Sequence, residues 1–362
     1  MTPLIVSREL KRYPDRKHET LQAWDAADEL ILEHLSQNDL NDKKILIVND
    51  QFGALSCALQ KFAITTYTDS YIGAQAIQLN SKDVVKPIND LELLAGTYDY
   101  VLIRIPKTMS YFEDILCHLS DHLDSNSKVI CGAMLKHLAK SSFDLLGKII
   151  GDTTTSLAKK KARLVFADFI RSTVASPYPK NVAIEGFKIP FSHPSNLFSR
   201  EKLDIGTRFL LEHIPNGNWK TILDLGSGNG IVGIAAKMDH PSAEIIFCDE
   251  STMAIQSSKT NFANYFQGAT AQFEWINCYE NQSAASVDLV LCNPPFHQGT
   301  TIGDFIAWQM FQDAHHVLKA GGMIRVIGNS HLLYQHSLKK IFGNAEILAT
   351  NQKFTIMDAL KN

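Results

Sequence analysis

Thr221-Ile222-Leu223-Asp224-Leu225-Gly226-Ser227-Gly228-Asn229-Gly230 reads as an apolar strand that runs into a glycine-rich turn and opens a helix at Ile231. Glycines let such a turn close tightly and bring backbone amides near a ligand. In open α/β sheets, ligands bind just past the carboxyl ends of the strands. Further strand-like runs follow, separated by helical stretches: Ile245-Ile246-Phe247-Cys248-Asp249, Leu289-Val290-Leu291-Cys292-Asn293 and Gly322-Met323-Ile324-Arg325-Val326-Ile327. Strands alternating with helices predict a doubly wound parallel sheet.

The first half repeats this order. Lys44-Ile45-Leu46-Ile47-Val48 leads to a turn with Gly53, and Ile64-Thr65-Thr66-Tyr67-Thr68-Asp69 ends in an aspartate, as the run to Asp249 does. Tyr100-Val101-Leu102-Ile103-Arg104-Ile105-Pro106 parallels the run through Asn293-Pro294-Pro295, and Lys128-Val129-Ile130-Cys131-Gly132 parallels residues 322–327. A chain of 362 residues exceeds what one core usually supports. Residues 172–181, rich in Ser and Pro and without periodicity, read as a linker. The expectation is an α/β protein of two tandem Rossmann-like domains, 1–175 and 176–362. The copies differ where chemistry would sit. Asn49-Asp50-Gln51-Phe52-Gly53 stands for Gly226-Ser227-Gly228-Asn229-Gly230, and Arg104-Ile105-Pro106-Lys107 stands for Asn293-Pro294-Pro295-Phe296. The first copy is therefore expected to be degenerate and the second to hold the site.

Gly228-Asn229-Gly230-Ile231-Val232-Gly233 also fits GxGxxG, with Asp249 about 20 residues on, as in nicotinamide dinucleotide sites. Asp224 tilts against that competitor. A carboxylate in the strand before the glycines suits the cationic amino-acid end of S-adenosylmethionine and repels a pyrophosphate. Gly226, Gly228 and Gly230 would then cradle the cofactor. Asp249 or Glu250 can accept hydrogen bonds from both ribose hydroxyls, and the Asn277 amide can read the adenine edge. Each has a plainer use: a turn acid or helix cap for the carboxylates, an ordinary loop position for Asn277.

Asn293-Pro294-Pro295-Phe296 carries the chemistry. An exocyclic base amine is a poor nucleophile because its lone pair is delocalised into the ring. The Asn293 side-chain oxygen and the Pro294 carbonyl can each accept one N–H, which favours a pyramidal nitrogen with its lone pair aimed at a methyl group. Pro294 and Pro295 stiffen the backbone, and Phe296 offers a stacking face for an unstacked base. Pro-Pro is otherwise a simple strand terminator, but the upstream glycine loop makes that reading weak. His297 is better read as a structural or substrate contact than as a base. His315 and His316 are adjacent on a predicted helix and point apart, so a metal pair is not expected.

Composition excludes other classes. The formal net charge of −3 argues against coating nucleic acid by charge alone. Two basic stretches, residues 8–17 (Arg8, Lys11, Arg12, Arg16, Lys17) and Lys159-Lys160-Lys161-Ala162-Arg163, fit solvated faces as well as RNA contacts. No apolar run reaches the ~20 residues that cross a bilayer, and the first residues lack the apolar centre of a secretory signal. A cytoplasmic protein is expected, with no membrane partner. The six cysteines form no CxxC pair and read as buried hydrophobes, with neither disulfides nor zinc.

The glycine loop together with Asn293-Pro294-Pro295-Phe296-His297-Gln298-Gly299 resembles the bacterial ribosomal RNA guanine-N2 methyltransferases. The resemblance covers nearly the whole chain. It implies a duplicated class I methyltransferase fold with a degenerate N-terminal copy that binds or positions RNA. It also implies that Phe198 and Asp204, in Asn196-Leu197-Phe198-Ser199-Arg200 and Leu203-Asp204-Ile205-Gly206, help close over the cofactor. Residues 21–28, 49–57, 153–155 and 160–164 look like the large-subunit branch, which implies N2-methylguanosine in 23S rRNA as product and protein-free or partly assembled large-subunit RNA as partner of a monomer. Ser227 stands where Cys is more usual. Three alternatives stay open: the small-subunit (16S) branch, methylation of adenine-N6 or a protein glutamine by the same motif, and a vestigial RNA-binding module.

Overall fold

Lys44–Val48 (β1) is buried at every position but its first, as a strand covered on both faces requires. Around it, the first half runs α1 (Ala26–Leu35), β1, α2 (Ala54–Leu59), β2 (Ala63–Tyr67), α3 (Tyr71–Ser81), β3 (Tyr100–Arg104), α4 (Met109–Leu119), β4 (Lys128–Met134), α5 (Lys140–Ile149), β5 (Thr153–Thr155) and β6 (Ala162–Asp168). The strand order is β2-β1-β3-β4-β6-β5. β1 to β4 are parallel, and β6 runs antiparallel to both β4 and β5. Ile31, Leu32 and Leu35 of α1 pack with Ile45, Ile47, Leu102 and Ile130 of the sheet.

The second half adds β7 (Lys180–Val182), β8 (Phe191–His193), α6 (Ile205–Leu211), β9 (Thr221–Leu225), α7 (Ile231–Asp239), β10 (Glu244–Asp249), α8 (Thr252–Tyr265), β11 (Gln272–Trp275), β12 (Val287–Cys292), α9 (Thr301–Val317), β13 (Leu318–Asn329), α10 (Tyr334–Phe342), β14 (Glu346–Thr350) and β15 (Phe354–Leu360). Its main sheet has the order β11-β10-β9-β12-β13-β15-β14, and β7 pairs with β8 separately. Without β11 the order matches the first sheet strand for strand, including an antiparallel penultimate strand. Both sheets are Rossmann-like. The computed structural model describes residues 3–15, 19–170, 172–295 and 301–362, without the side chains of 301–304. No helix among these residues is long and apolar enough to cross a membrane.

Two compact units result, Met1–Tyr178 and Pro179–Asn362. The division falls inside the stretch 172–181, and Ser176 and Tyr178 go with the first unit for a local reason. Ser176 Oγ donates to Asp114 at 2.5 Å and Tyr178 OH to Glu113 at 3.0 Å, so these residues are tied to α4.

Register fixes which residues correspond. Val48 lies opposite Tyr67, and Leu225 opposite Cys248. Thr68, not Asp69, is therefore the counterpart of Asp249. Val48 also lies opposite Ile103, and Leu225 opposite Cys292. Arg104 thus occupies the place of Asn293, as the sequence parallel expected.

Candidate active site

The strand order reverses direction at β9, with β10 on one side and β12 on the other. The glycine loop and Asn293 leave the carboxyl ends of β9 and β12, at this switch point.

The loop is built by its glycines. Gly226, Gly228 and Gly230 have φ of 79°, 55° and 80°, a region side chains disfavour. The Gly226 and Ser227 amides donate to the Cys248 carbonyl at 3.0 and 2.9 Å, and the Gly228 amide donates to Asp249 Oδ2 at 2.9 Å. A Cβ on Gly230 would come within 3.0 Å of Ser258, whereas one on Gly228 would project into open space. The turn is therefore open on the Gly228 side, where a ligand would have room.

Asp224 is 3% exposed, and its Oδ2 accepts the Gly233 amide of α7 at 2.8 Å. Burial pushes its carboxyl up to about 7, with Asp249 adding to the rise. No cation pairs with it among the described residues. Asp224 lies in the strand that enters the glycine turn and Asp249 bonds the turn at Gly228; two acids there suit a cationic ligand, so the residues present fit S-adenosylmethionine better than a pyrophosphate.

The other expected cofactor residues sit as follows. Asp249 Oδ1 accepts the Ser251 amide at 3.0 Å, and the Glu250 carbonyl accepts from Trp275 Nε1 at 2.9 Å; both side chains are half-buried. Asn277 is 4% exposed, and its Nδ2 donates to Glu280 at 3.0 Å. Phe198 is 75% exposed. Asp204 is the N-cap of α6, accepting the Thr207 amide at 3.0 Å.

Asn293 follows β12. Its Nδ2 donates to Thr207 Oγ1 at 2.9 Å, and its Oδ1 is buried with no hydrogen-bond partner among the described residues. An orphaned buried acceptor costs about 1–3 kcal/mol, and active sites are where such a cost is tolerated. Pro294 is buried and Pro295 half-buried. Phe296, His297, Gln298 and Gly299 lie outside the described residues, as do Arg16 and Lys17.

Sequence reasoning missed the residues that brace the loop. His193 Nδ1 donates to the Arg200 carbonyl at 2.7 Å, which leaves Nε2 to accept from Asn229 Nδ2 at 2.8 Å. Burial lowers the pKa of His193, in keeping with that neutral ring. Buried Asn261 ties the Asn229 carbonyl at 2.9 Å to the Ser192 backbone. Only polar residues sitting in apolar runs could have signalled this.

The first unit fills the equivalent positions with its own side chains. Asp50 Oδ2 accepts the Leu55 and Ser56 amides at 3.1 and 2.8 Å, and Oδ1 accepts Gly53 at 3.1 Å, covering the start of α2. The Arg12 guanidinium lies 4.7 Å from the Phe52 ring. Arg104 pairs with Asp25 at 2.8 Å and with Asp28, where the second unit has an amide.

His315 packs against Phe342, while His316 Nε2 bonds the Gln282 carbonyl at 3.1 Å. All six cysteines are free.

The comparisons agree with this architecture. Residues 4–171 match the family model described as RLMG N-terminal domain, and residues 188–358 match the Methyltransferase small domain. The chain is 42% identical to "Ribosomal RNA large subunit methyltransferase G" of Psychromonas ingrahamii, covering 97% of this chain and 96% of that one. Its counterpart in Pseudomonas fluorescens is also 42% identical, with 98% and 97% covered. Among solved structures, a T. thermophilus 16S rRNA methyltransferase (RsmC), in complex with AdoMet and guanosine, aligns with a TM-score of 0.79 at 19% identity, covering 93% of this chain and 92% of that one. That likeness shows a shared class I methyltransferase fold in both halves. With relatives this similar along nearly their whole length, the chain belongs to the ribosomal RNA large subunit methyltransferase G family.

Proposed function

We propose that the second unit transfers a methyl group from S-adenosylmethionine to the exocyclic N2 amine of a guanine in 23S ribosomal RNA, and that the first unit binds or positions that RNA. The observation that carries this reading is Oδ1 of Asn293, a buried acceptor without a partner among the described residues, at the carboxyl end of β12 next to the strand that enters the glycine turn. The family names of the relatives supply the large-subunit RNA.

The bound cofactor supplies an electrophilic methyl carbon on a sulfonium. The chain's own residues do the rest. Asp224 and Asp249 attract the cationic end of the ligand, and the open side of the glycine turn at Gly228 gives it room. Asn293 Oδ1 and the Pro294 carbonyl accept the two N–H bonds of the amine, directing its lone pair at the methyl carbon. No strong base is needed: the nitrogen becomes acidic as it bonds to carbon and loses its proton afterwards. Phe296 stacks on the extruded base.

The test is transfer of labelled methyl to protein-free large-subunit RNA that lacks the modification, with nucleoside analysis. N2-methylguanosine is the expected product. Label only in assembled particles would move the substrate to a later stage. Label in 16S rRNA, DNA or protein, and none in large-subunit RNA, would overturn the substrate assignment.

A further inference from the structure

We propose that Thr207 is a positioning residue that decides which end of the Asn293 amide faces the substrate. This rests on the role given to Asn293 above. A side-chain amide has an acceptor end and a donor end of nearly equal shape, and only its hydrogen bonds select between them. An exocyclic amine brings donors, so the wrong end would set N–H against N–H.

The selection comes from a short relay. Asp204 caps α6, and its Oδ2 lies 3.0 Å from the Thr207 amide and 3.5 Å from Thr207 Oγ1. A carboxylate only accepts, so the single hydroxyl proton of Thr207 points to it. Lone pairs of Oγ1 then face Asn293 at 2.9 Å, and only Nδ2 can answer them. Oδ1 is left as the acceptor end, buried and without a partner among the described residues. Gly206 makes room for the relay, since a Cβ there would come within 2.9 Å of Asp204 Oδ2.

The duplicated unit supports the pairing independently. Asp25 caps α1 as Asp204 caps α6, and Asp28 holds the N3 place of Thr207. Asp28 contacts Arg104, which occupies the place of Asn293. Both copies link the third residue of this helix to the matching position at the carboxyl end of β3 or β12. The first copy makes the link a fixed ion pair, and the second makes it a hydrogen bond that leaves an acceptor free.

The experiment compares Thr207→Val, Thr207→Ser and Asn293→Ala in steady-state methylation of large-subunit RNA, with thermal melts as a folding control. Thr207→Val keeps shape and removes the lone pairs. Its expected result is a loss of about tenfold or more in kcat, with KM for S-adenosylmethionine within about twofold. Thr207→Ser should restore turnover. Parental kcat in Thr207→Val while Asn293→Ala is inactive would overturn the positioning role alone. A rise in KM with kcat unchanged, or a Ser variant no better than the Val one, would do the same. Full turnover in Asn293→Ala would instead remove the underlying reading. Should Thr207→Val fail to fold, Thr207→Ala is read by the same criteria.

Discussion

Asp224, 3% exposed, accepts the Gly233 amide at 2.8 Å. One backbone donor is too little to offset burial, which is why this carboxyl sits near 7. Its folded pKa lies above the ordinary value, so the fold favours the protonated acid. That advantage is full below about pH 4 and is lost as pH rises through about 7. Ligand-free Asp224→Asn should therefore melt higher than the parent at pH 8, with the gap closing toward pH 5. The same variant should lose S-adenosylmethionine binding by titration calorimetry. A parent that is the more stable of the two at pH 8 would contradict this.

Ligand affinity should carry the same signature. A cation beside Asp224 favours its ionised form, so binding releases a proton. Affinity for S-adenosylmethionine should climb between pH 5 and 8 in the parent. The heat of binding should depend on the ionisation enthalpy of the buffer. Buffer-independent heats at pH 6 would count against the contact.

Two glycines separate binding from folding. Gly228→Ala places a methyl in open space at φ 55°. It should lower ligand affinity more than about tenfold while costing roughly 1–2 kcal/mol of stability. Gly233→Ala drives a Cβ to 2.3 Å from the Phe247 ring. It should cost about 1–3 kcal/mol and shift the urea midpoint. Unchanged ligand affinity in Gly228→Ala would show that the turn does not face the ligand.

Arg104 should matter to the first unit and not to turnover. Arg104→Met leaves Asp28, 4% exposed, without its cation. Removing one partner of a buried pair costs about 3–5 kcal/mol. Hydrogen exchange in peptides spanning β3 and α1 should accelerate, with kcat unchanged.

The basic run at 159–163 should contribute little to RNA affinity. Lys159 pairs with Glu33 at 2.6 Å and Lys160 with Glu29 at 2.7 Å. Replacing both lysines with Met should leave the dependence of log K on log salt unchanged, because neutralised cations release few counterions. A slope shallower by about one or more would place them on phosphates.

The strand ends that carry the candidate site were legible because a glycine turn and Asn-Pro-Pro each mark a place in the chain where a strand must stop. Register was not legible. An apolar run such as Ile64-Thr65-Thr66-Tyr67 shows a strand without showing its partner, and so Asp69 was matched to Asp249 when Thr68 is its counterpart. Thr207 was illegible for a different reason. In sequence it is one residue in the first turn of a helix, and its meaning lies in Asn293, 86 residues away. β15, antiparallel between β13 and β14, was equally hidden, since strand direction leaves no mark on side-chain alternation.

The loops after β1 and β9 have unequal consequences for supply. In the first unit the anion at the start of α2 is Asp50, joined to the chain by covalent bonds and present at every ligand concentration. The second unit keeps an open cradle, and a ligand that binds only the folded form stabilises it by RT ln(1 + [L]/Kd). Scarcity of the methyl donor would thus loosen one half of the molecule and leave the other untouched, so that resistance to proteolysis of the second half becomes a gauge of the metabolite it consumes.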